Sequence, residues 1–359
     1  MNFNLQNLVR KNILQLRPYS SARHEFNGNA TIYLDANENA IGAAVTTALH
    51  NSQTFLYNRY PDPLQWQVKY KLANIKNVPA QNIFIGNGSD EVIDLAIRIF
   101  CEPIVDNIII CSPTYGMYNV CAAINNIQVK DVPLNNDFQL NIAAINNAID
   151  VNTKLVFICS PNNPTGNCMY NVDIQTLLNN FNGIVIVDEA YIDYAQQHSM
   201  IASLVQYPNL IVMQTMSKAW GLAALRIGLC YASLDIINLF NKVKPPYNIN
   251  EASQQLVLKA LENTPLINDW IIQAIAQREI VATALSNISF IKKVYTSDAN
   301  FLLIKVTNAN QVYQFLAKNG IVVRNRTNEV GCNNCIRITI GTPKENDVLL
   351  NYLFQYNQI

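Results

Sequence analysis

The stretch Leu210-Ile211-Val212-Met213-Gln214-Thr215-Met216-Ser217-Lys218 decides the fold, because it runs from continuous apolar residues directly into polar ones. A short, fully apolar run is typical of a strand buried on both faces, as in a parallel sheet. Four other runs repeat this pattern: Asn82–Ile85, Asn107–Cys111, Lys154–Cys159 and Ile184–Val187. Helical patterns such as Glu91–Phe100 and Ile174–Phe181 lie between them. The alternation predicts an α/β fold with a mostly parallel, doubly wound sheet.

The pattern changes after Lys244-Pro245-Pro246, where a long helical stretch from Glu251 to Leu285 is followed by alternating runs. These features predict a smaller α+β domain at the C-terminus. We expect an N-terminal arm over residues 1–40 that packs on this small domain, a large α/β domain over 41–245 and the small domain over 246–359.

Charge is scarce in this chain, and amide side chains carry much of its polarity. Of 359 residues, 25 are Lys or Arg and 25 are Asp or Glu, while 50 are Asn. A neutral chain without a basic stripe is not expected to bind nucleic acid. No apolar run reaches about 18 residues and no secretory signal is visible, so we expect a cytoplasmic protein that does not enter a membrane.

Eight cysteines occur, several of them inside apolar runs, where they are expected to be small buried hydrophobes with reduced thiols. The spacing Cys332-x-x-Cys335 is also compatible with half of a zinc site or with a redox pair. The chain has only three histidines, His24, His50 and His198, and no second pair of ligands is apparent. We therefore predict no metal.

Two charged residues follow buried strands at the edge where a parallel sheet binds ligands. Lys218 lies beside a stretch with no other charge until Arg226, a setting in which a lysine can lose its proton and act as a nucleophile. Asp188 ends the run Ile184–Val187, and a buried carboxylate there needs a partner. A solvated lysine and a helix N-cap remain the alternatives.

Other strand ends carry groups suited to an anion and to an aromatic ring. Gly86-Asn87-Gly88-Ser89-Asp90-Glu91 joins a strand to a helix and fits a single-phosphate cradle, with Ser217 and Arg226 as further donors. An ordinary turn with an N-cap remains possible there. Asn163 and Tyr191 are candidates for binding one phenolate oxygen, although Asn163 also suits a plain turn. Tyr115 is a candidate for covering a ring face, or simple packing.

Arginine inside an apolar strand is a further candidate. Arg337 lies in Cys335-Ile336-Arg337-Ile338-Thr339-Ile340, where its guanidinium needs an anion such as a carboxylate or phosphate, unless it forms a structural ion pair. Arg324 is a second candidate of the same kind. Together, the amine, acid, amide, phenols and anion cradle predict a pyridoxal-phosphate site, since that cofactor needs one group of each kind.

Several motifs resemble those of fold-type-I, pyridoxal-phosphate-dependent aminotransferases. They are Ser160-Pro161-Asn162-Asn163-Pro164-Thr165-Gly166, Val187-Asp188-Glu189-Ala190-Tyr191 and Ser217-Lys218-Ala219-Trp220. Further stretches resemble the histidinol-phosphate aminotransferases within that class: Arg17–Arg23, Leu34–Glu38, Asn58–Pro61, Pro113–Tyr118 and Arg337–Thr342. The resemblance covers nearly the whole chain in order.

The resemblance implies a role for each matching residue. Lys218 would bind the cofactor covalently and move the proton of the substrate, and Asp188 would pair with the pyridine nitrogen. The remaining cofactor contacts would come from Ser89, Asp90, Glu91, Tyr115, Asn163, Tyr191, Ser217 and Arg226, with Tyr60 supplied by the other subunit of a homodimer. Substrate contacts would come from Tyr19, Asn37, Arg324 and Arg337.

The implied reaction converts L-histidinol phosphate and 2-oxoglutarate into imidazole-acetol phosphate and L-glutamate, in histidine biosynthesis. Its partners would be these small molecules and a second copy of the chain. An aromatic amino-acid aminotransferase and a threonine-phosphate decarboxylase of the same fold are alternatives. A catalytically silent binding protein of this fold is a third, which the complete set of Lys218, Asp188 and Arg337 disfavours.

Overall fold

A computed structural model gives the fold and describes residues 10–16, 26, 30–45 and 58–357. Its α-helices are α1 Lys11–Leu14, α2 Trp66–Lys76, α3 Ser89–Phe100, α4 Met117–Asn125, α5 Ile142–Ala148, α6 Asn171–Asn180, α7 Leu234–Val243, α8 Glu251–Ala260, α9 Thr264–Ser286, α10 Ala309–Lys318 and α11 Pro343–Tyr356. Its strands are β1 Ile32–Tyr33, β2 Ile83–Asn87, β3 Asn107–Ile110, β4 Gln128–Asp131, β5 Thr153–Cys159, β6 Ile184–Asp188, β7 Leu210–Thr215, β8 Ile227–Ala232, β9 Ile291–Val294, β10 Phe301–Val306, β11 Ile321–Val322, β12 Arg324–Asn325 and β13 Cys335–Thr339.

The largest element is a seven-stranded sheet with the order β2-β8-β7-β6-β5-β3-β4. The neighbours β7-β6-β5-β3-β4 pair in parallel, whereas β8 runs antiparallel to both β7 and β2. Each predicted apolar run forms a strand, and helices connect the strands. The predicted α/β fold with a mostly parallel sheet is confirmed.

Continuous apolar runs are required because both faces of this sheet are buried. On β6, Val185 and Val187 pack into the core on one face, while Ile186 packs into the core on the other. β7 repeats the arrangement, with Val212 on the first face and Met213 on the second. On these two central strands, polar residues therefore appear only toward the carboxyl end.

A second, four-stranded sheet with the order β12-β13-β10-β9 is antiparallel throughout. Its core includes residues from β10, β13, α10 and α11, among them Leu302, Ile338, Val312 and Leu349. Beside it, β1 pairs in parallel with β11. These elements form the α+β part of the chain that the alternating C-terminal pattern predicts.

The helical stretch predicted from Glu251 to Leu285 forms two helices rather than one. The break falls between α8 and α9, where Asn263 precedes the second helix and Pro265 occupies its first turn. Proline fits the first turn of a helix but not its interior, because it lacks an N–H group and blocks the preceding turn.

The predicted domain limits stay a prediction. Val257 on α8 and Ile267 on α9 pack into the core of the seven-stranded sheet, whereas Val281, further along α9, packs into the second core. Within the predicted N-terminal arm, residues 32–33 pair with β11, but Asn12 donates hydrogen bonds to the carbonyls of Ala123 and Ile124 in α4. The described parts of the arm therefore contact β11, beside the four-stranded sheet, and α4, beside the seven-stranded sheet.

Within the described residues, every helix is too short or too polar to cross a membrane.

Candidate active site

A cavity of about 180 Å³ lies at the carboxyl ends of the central parallel strands. Nine of the predicted site residues line it: Ser89, Asp90, Tyr115, Asn163, Asp188, Tyr191, Ser217, Lys218 and Arg226. They come from the ends of β2, β3, β5, β6 and β7 and from the segment before β8. The topology thus brings together residues that are up to 137 positions apart in sequence, at the edge where doubly wound sheets bind ligands.

Lys218 extends its amine into this cavity. Its Nζ donates a hydrogen bond to the carbonyl of Ala36 at 3.0 Å and lies 5.7 Å from the centre of the Tyr191 ring. Loss of hydration and, second to it, the positive charge of Arg337 lower the pKa of the Lys218 amine to about 8. A substantial fraction of this amine is therefore unprotonated near neutral pH, as a nucleophile or a base requires.

Asp188 is buried on the floor of the cavity at the end of β6. Its Oδ2 accepts a hydrogen bond from the phenol of Tyr118 at 2.7 Å, and its Oδ1 accepts one from the Ala190 N–H at 3.1 Å. Burial raises the pKa of Asp188 to about 6, although both hydrogen bonds favour the ionised form. A cation placed in the cavity would relieve the cost of burying this charge.

The opposite end of the cavity is built to bind an anion. Ser89 is the first residue of α3, so its N–H belongs to a helix N-terminus that points its free amides outward. Arg226 lies alongside, with its Nη2 3.5 Å from Asp90 Oδ2, and Tyr115 donates a hydrogen bond to Asp90 Oδ1 at 3.0 Å. Ser217 completes the group. This end matches the predicted phosphate cradle in residue type and placement.

The third wall carries hydrogen-bonding groups contributed by two sheets. Asn163 follows β5, and its Oδ1 accepts a hydrogen bond from Arg337 Nη1 at 2.6 Å. Tyr191 follows β6, and its hydroxyl oxygen accepts a hydrogen bond from Asn37 Nδ2 at 3.1 Å. Asn163 and Tyr191 both line the cavity, so an amide and a phenol face the same space.

Arg337 and Arg324 lie side by side on neighbouring antiparallel strands, where they form one register pair. Both are buried, and Arg337 Nη2 also donates to the carbonyl of Asp35 at 2.6 Å. Buried guanidinium groups on paired strand positions need anions close to them. Arg324 lines a larger groove of about 1040 Å³, which shares Tyr115 and Asn163 with the cavity.

Three predicted site residues lie elsewhere in the described part of the chain. Glu91 faces away from the cavity, where its carboxylate accepts hydrogen bonds from the Asn87 N–H and the Asn248 amide, so it supports the loop rather than lining the site. Asn37 is buried behind Tyr191 and does not line the cavity. Tyr60 is 80% exposed and stacks on Tyr247. Tyr19 lies outside the described residues.

Two contributors to the site were not among the predicted residues. Tyr118, which donates a hydrogen bond to Asp188, lies in the first turn of α4, whereas Tyr115 lies in the segment before that helix. Thr339 lies two residues after Arg337 on β13, on the same face of the strand, and it contacts Asn37. The alternation along β13 becomes informative only once the neighbouring element is known, and no local sequence signal pairs Tyr118 with Asp188.

The pair Cys332 and Cys335 is buried in a small cluster with Phe138 and Leu303. Within the described part of the chain, no group of three or more His, Cys, Asp or Glu side chains is placed to hold a metal ion. All eight cysteines are free thiols.

The cavity suits pyridoxal phosphate on its own chemistry. Asp188 is a buried acid suited to a protonated ring nitrogen, and Lys218 is an amine of lowered pKa suited to an aldehyde. Ser89, Ser217 and Arg226 offer donors for a phosphate at one end, while Asn163 and Tyr191 offer them for a ring oxygen. The groups present therefore fit each polar part of this cofactor.

Comparison with known proteins agrees with this arrangement. Residues 29–353 match the family described as aminotransferase class I and II. The chain is 48% identical to a histidinol-phosphate aminotransferase of Parabacteroides distasonis, covering 97% of each chain, and 49% identical to one of Flavobacterium psychrophilum, covering 98% of this chain and 99% of the relative. It also superimposes on the crystal structure of a Sinorhizobium meliloti histidinol-phosphate aminotransferase in complex with pyridoxal-5'-phosphate, with a TM-score of 0.85 and 21% identity over 98% of this chain and 97% of that one.

Proposed function

The chain belongs to the aminotransferase class I and II family, and we propose that it transfers the amino group of L-histidinol phosphate to 2-oxoglutarate, giving imidazole-acetol phosphate and L-glutamate. The observation that carries this proposal is the placement of Lys218, Asp188 and an anion-binding end in one cavity beside Arg337 and Arg324. The full-length similarity to relatives that bear this enzyme's name supports the choice of substrate. The activity belongs to histidine biosynthesis.

Pyridoxal phosphate, when bound, supplies an electron sink for the negative charge that develops as the substrate loses its Cα proton. Asp188 would hold the ring nitrogen, Asn163 and Tyr191 the ring oxygen, and Ser89, Ser217 and Arg226 the phosphate. Asp90 and Tyr115 hold each other by a hydrogen bond at the same end, so they keep the ring-covering phenol in place.

Lys218 is the residue suited to move the substrate proton. Its amine titrates close to neutral pH, so it can accept a proton at Cα and give it up again within one turnover. The hydrogen bond from Nζ to the Ala36 carbonyl keeps the amine inside the cavity between the two events.

Arg337 and Arg324 are the residues suited to recognise the two substrates. Glutamate and 2-oxoglutarate bring carboxylates, whereas histidinol phosphate brings a phosphate, and a guanidinium binds either anion through paired hydrogen bonds. Arg337 already donates to Asn163, so the group that binds the substrate anion also contacts a group that faces the cofactor.

The active form is proposed to be a cytoplasmic homodimer in which Tyr60 reaches the phosphate end of the partner's site. Tyr60 is 80% exposed on the isolated chain and rests on Tyr247, so its hydroxyl is accessible to a second copy. Eight free thiols are in keeping with a reducing compartment.

A donor panel tests the proposal. Purified enzyme is incubated with 2-oxoglutarate and either histidinol phosphate, phenylalanine, tyrosine or threonine phosphate, and glutamate formation is measured. We expect histidinol phosphate to give the highest kcat/KM. A preference for phenylalanine or tyrosine would instead assign an aromatic aminotransferase, and release of CO₂ from threonine phosphate without glutamate would assign the decarboxylase.

A further inference from the structure

One hydrogen-bonded chain connects the four-stranded sheet to the candidate active site. It runs from Thr339 on β13 through Asn37, in the segment after β1, to Tyr191 after β6. All three residues are buried. Thr339 and Asn37 do not line the cavity, so any effect they have on the chemistry must pass through Tyr191.

The protons along this chain can be assigned by counting donors and acceptors. The Thr339 oxygen accepts a hydrogen bond from the Asn37 backbone N–H at 3.0 Å, so the single hydroxyl proton of Thr339 is left to donate to Asn37 Oδ1, which lies 2.9 Å away. Because Oδ1 faces Thr339, the Asn37 amide group Nδ2 faces Tyr191 and donates to its oxygen at 3.1 Å. Every hydrogen bond from Thr339 to Tyr191 therefore has a fixed donor and a fixed acceptor.

These directions determine where Tyr191 donates its hydroxyl proton. Since the Tyr191 oxygen accepts from Asn37, its own proton must be donated elsewhere, and no residue in the described part of the chain accepts it. Tyr191 lines the cavity, where the ring oxygen of the cofactor would be the acceptor. Without the Thr339 hydroxyl, the Asn37 amide could rotate and present its oxygen to Tyr191, which would draw the phenol proton away from the cavity.

We propose that Thr339 is a positioning residue of the active site: it fixes the Asn37 amide so that Tyr191 directs its hydroxyl proton into the cavity toward the cofactor's ring oxygen. This inference rests on the proposed function. It assigns a task to a residue of the small sheet that touches neither cofactor nor substrate. The segment 34–37 is attached to β13 by two further hydrogen bonds. The Leu34 carbonyl accepts one from the Thr339 N–H, and the Asp35 carbonyl accepts one from Arg337.

The matched variants are Thr339→Val, which keeps the shape but removes the hydroxyl, and Thr339→Ser, which keeps the hydroxyl. Each is compared in the wild-type and Tyr191→Phe backgrounds. Two readouts are used: the affinity of the apoprotein for pyridoxal phosphate, and the pH midpoint of the visible absorbance change of the loaded protein. A hydrogen-bond donor stabilises the ionised form of the ring oxygen, so losing one makes that oxygen hold a proton more tightly.

We expect Thr339→Val to raise the pH midpoint by about one unit and to weaken cofactor affinity several-fold, roughly as a lost hydrogen bond to a charged oxygen does. Thr339→Ser should restore both values. In the Tyr191→Phe background, Thr339→Val should cause no further shift, since the phenol it acts through is gone.

An unchanged midpoint in Thr339→Val, or an equal shift in the Tyr191→Phe background, would overturn the inference. Circular dichroism and the thermal midpoint of the apoproteins check that each variant is folded, and Thr339→Ala, which also removes the hydroxyl, replaces Thr339→Val if that variant is unstable. Failure of the wild-type protein to bind pyridoxal phosphate at all would instead contradict the proposed function.

Discussion

Lys218 combines a depressed pKa with a fixed position, and both properties come from its surroundings. It is withdrawn from water, and Arg337 adds a repelling positive charge. The carbonyl of Ala36 compensates by accepting a hydrogen bond from its amine. Because neither Arg nor Met can supply an unprotonated amine, substitution should remove both covalent attachment of the cofactor and proton transfer.

We expect Lys218→Met to lower kcat by about three orders of magnitude, in line with the loss of a positioned base. Borohydride treatment followed by peptide mass spectrometry should attach the pyridoxyl phosphate group to the Lys218 peptide in the wild type and to no peptide in the variant. Labelling of another lysine in the wild-type protein would contradict the assignment of Lys218.

Asp188 makes stability depend on pH in the apoprotein. Burial raises its pKa from 3.8 to about 6, so between these values the folded chain binds a proton that the unfolded chain has released. The stability that this proton contributes is complete below about pH 4 and is lost as pH rises through about 6. Relative to Asp188→Asn, which does not titrate, wild-type apoprotein should thus become less stable across that window.

The difference in free energy of unfolding between the wild type and Asp188→Asn should change by up to about 3 kcal/mol, since each pKa unit corresponds to about 1.4 kcal/mol. Urea denaturation of the two apoproteins at several pH values between 4.5 and 7.5 measures it. Saturating pyridoxal phosphate should cancel the disadvantage of the wild type at pH 7.5, because the ring nitrogen then pairs with Asp188. A difference that stays constant with pH would refute this account.

The turn between β2 and α3 owes its shape to the strand that lies under it. Gly228 on β8 pairs with Gly86, and a Cβ atom on Gly228 would lie 2.3 Å from backbone atoms of Gly88 and Ser89. Backbone atoms cannot move aside as a flexible side chain can, so any side chain here must displace the N-terminus of α3. The phosphate end of the cavity therefore depends on a residue that does not contact it.

Gly228→Ala should destabilise the protein by about 1–3 kcal/mol through overpacking and weaken pyridoxal phosphate binding about tenfold. Gly331→Ala is the control, because its φ of +73° makes the substitution strained at a distance from the cavity. It should lose stability but keep wild-type cofactor affinity. Cofactor titration and thermal unfolding of both variants separate the two effects, and equal affinity in both would exclude this role for Gly228.

The elements of the large sheet could be predicted from sequence because burial on both faces leaves a strong signal. The run Ile184–Val187 is apolar throughout, and the polar residue after it, Asp188, lies at the ligand-binding edge. Apolar spacing continues across the break between α8 and α9 and hides it, although Asn263 and Pro265 form a local signal for the start of a second helix. Propensity decides such a boundary where periodicity does not.

Contacts between distant segments could not be predicted in the same way. Tyr118 and Asp188 are 70 residues apart, and Thr339 and Asn37 are 302 apart. Nothing in the local pattern of either partner identifies the other, because the pairing is created by sheet order. The residues that touch the cavity were thus largely predictable from strand ends, whereas those that orient them required the fold.

In the proposed homodimer, one site would depend on residues from two copies of the chain. On the isolated chain, the side chain of Arg226 at the phosphate end is 47% exposed, and Tyr60 is 80% exposed. If Tyr60 acts across the interface of a symmetric dimer, a lesion in Tyr60 on one chain and a lesion in Lys218 on the other fall in the same site and leave the second site intact.

Mixing Tyr60→Ala with Lys218→Met subunits tests this. Each parent homodimer should have little activity, but a dimer containing one chain of each kind holds one site with neither lesion and one site with both. Random reassortment of equal amounts should restore about a quarter of the wild-type activity, since half of the dimers are mixed and half of their sites are intact. If Tyr60 served its own chain, every site would carry a lesion and mixing would restore nothing, so the recovered fraction decides between the two arrangements.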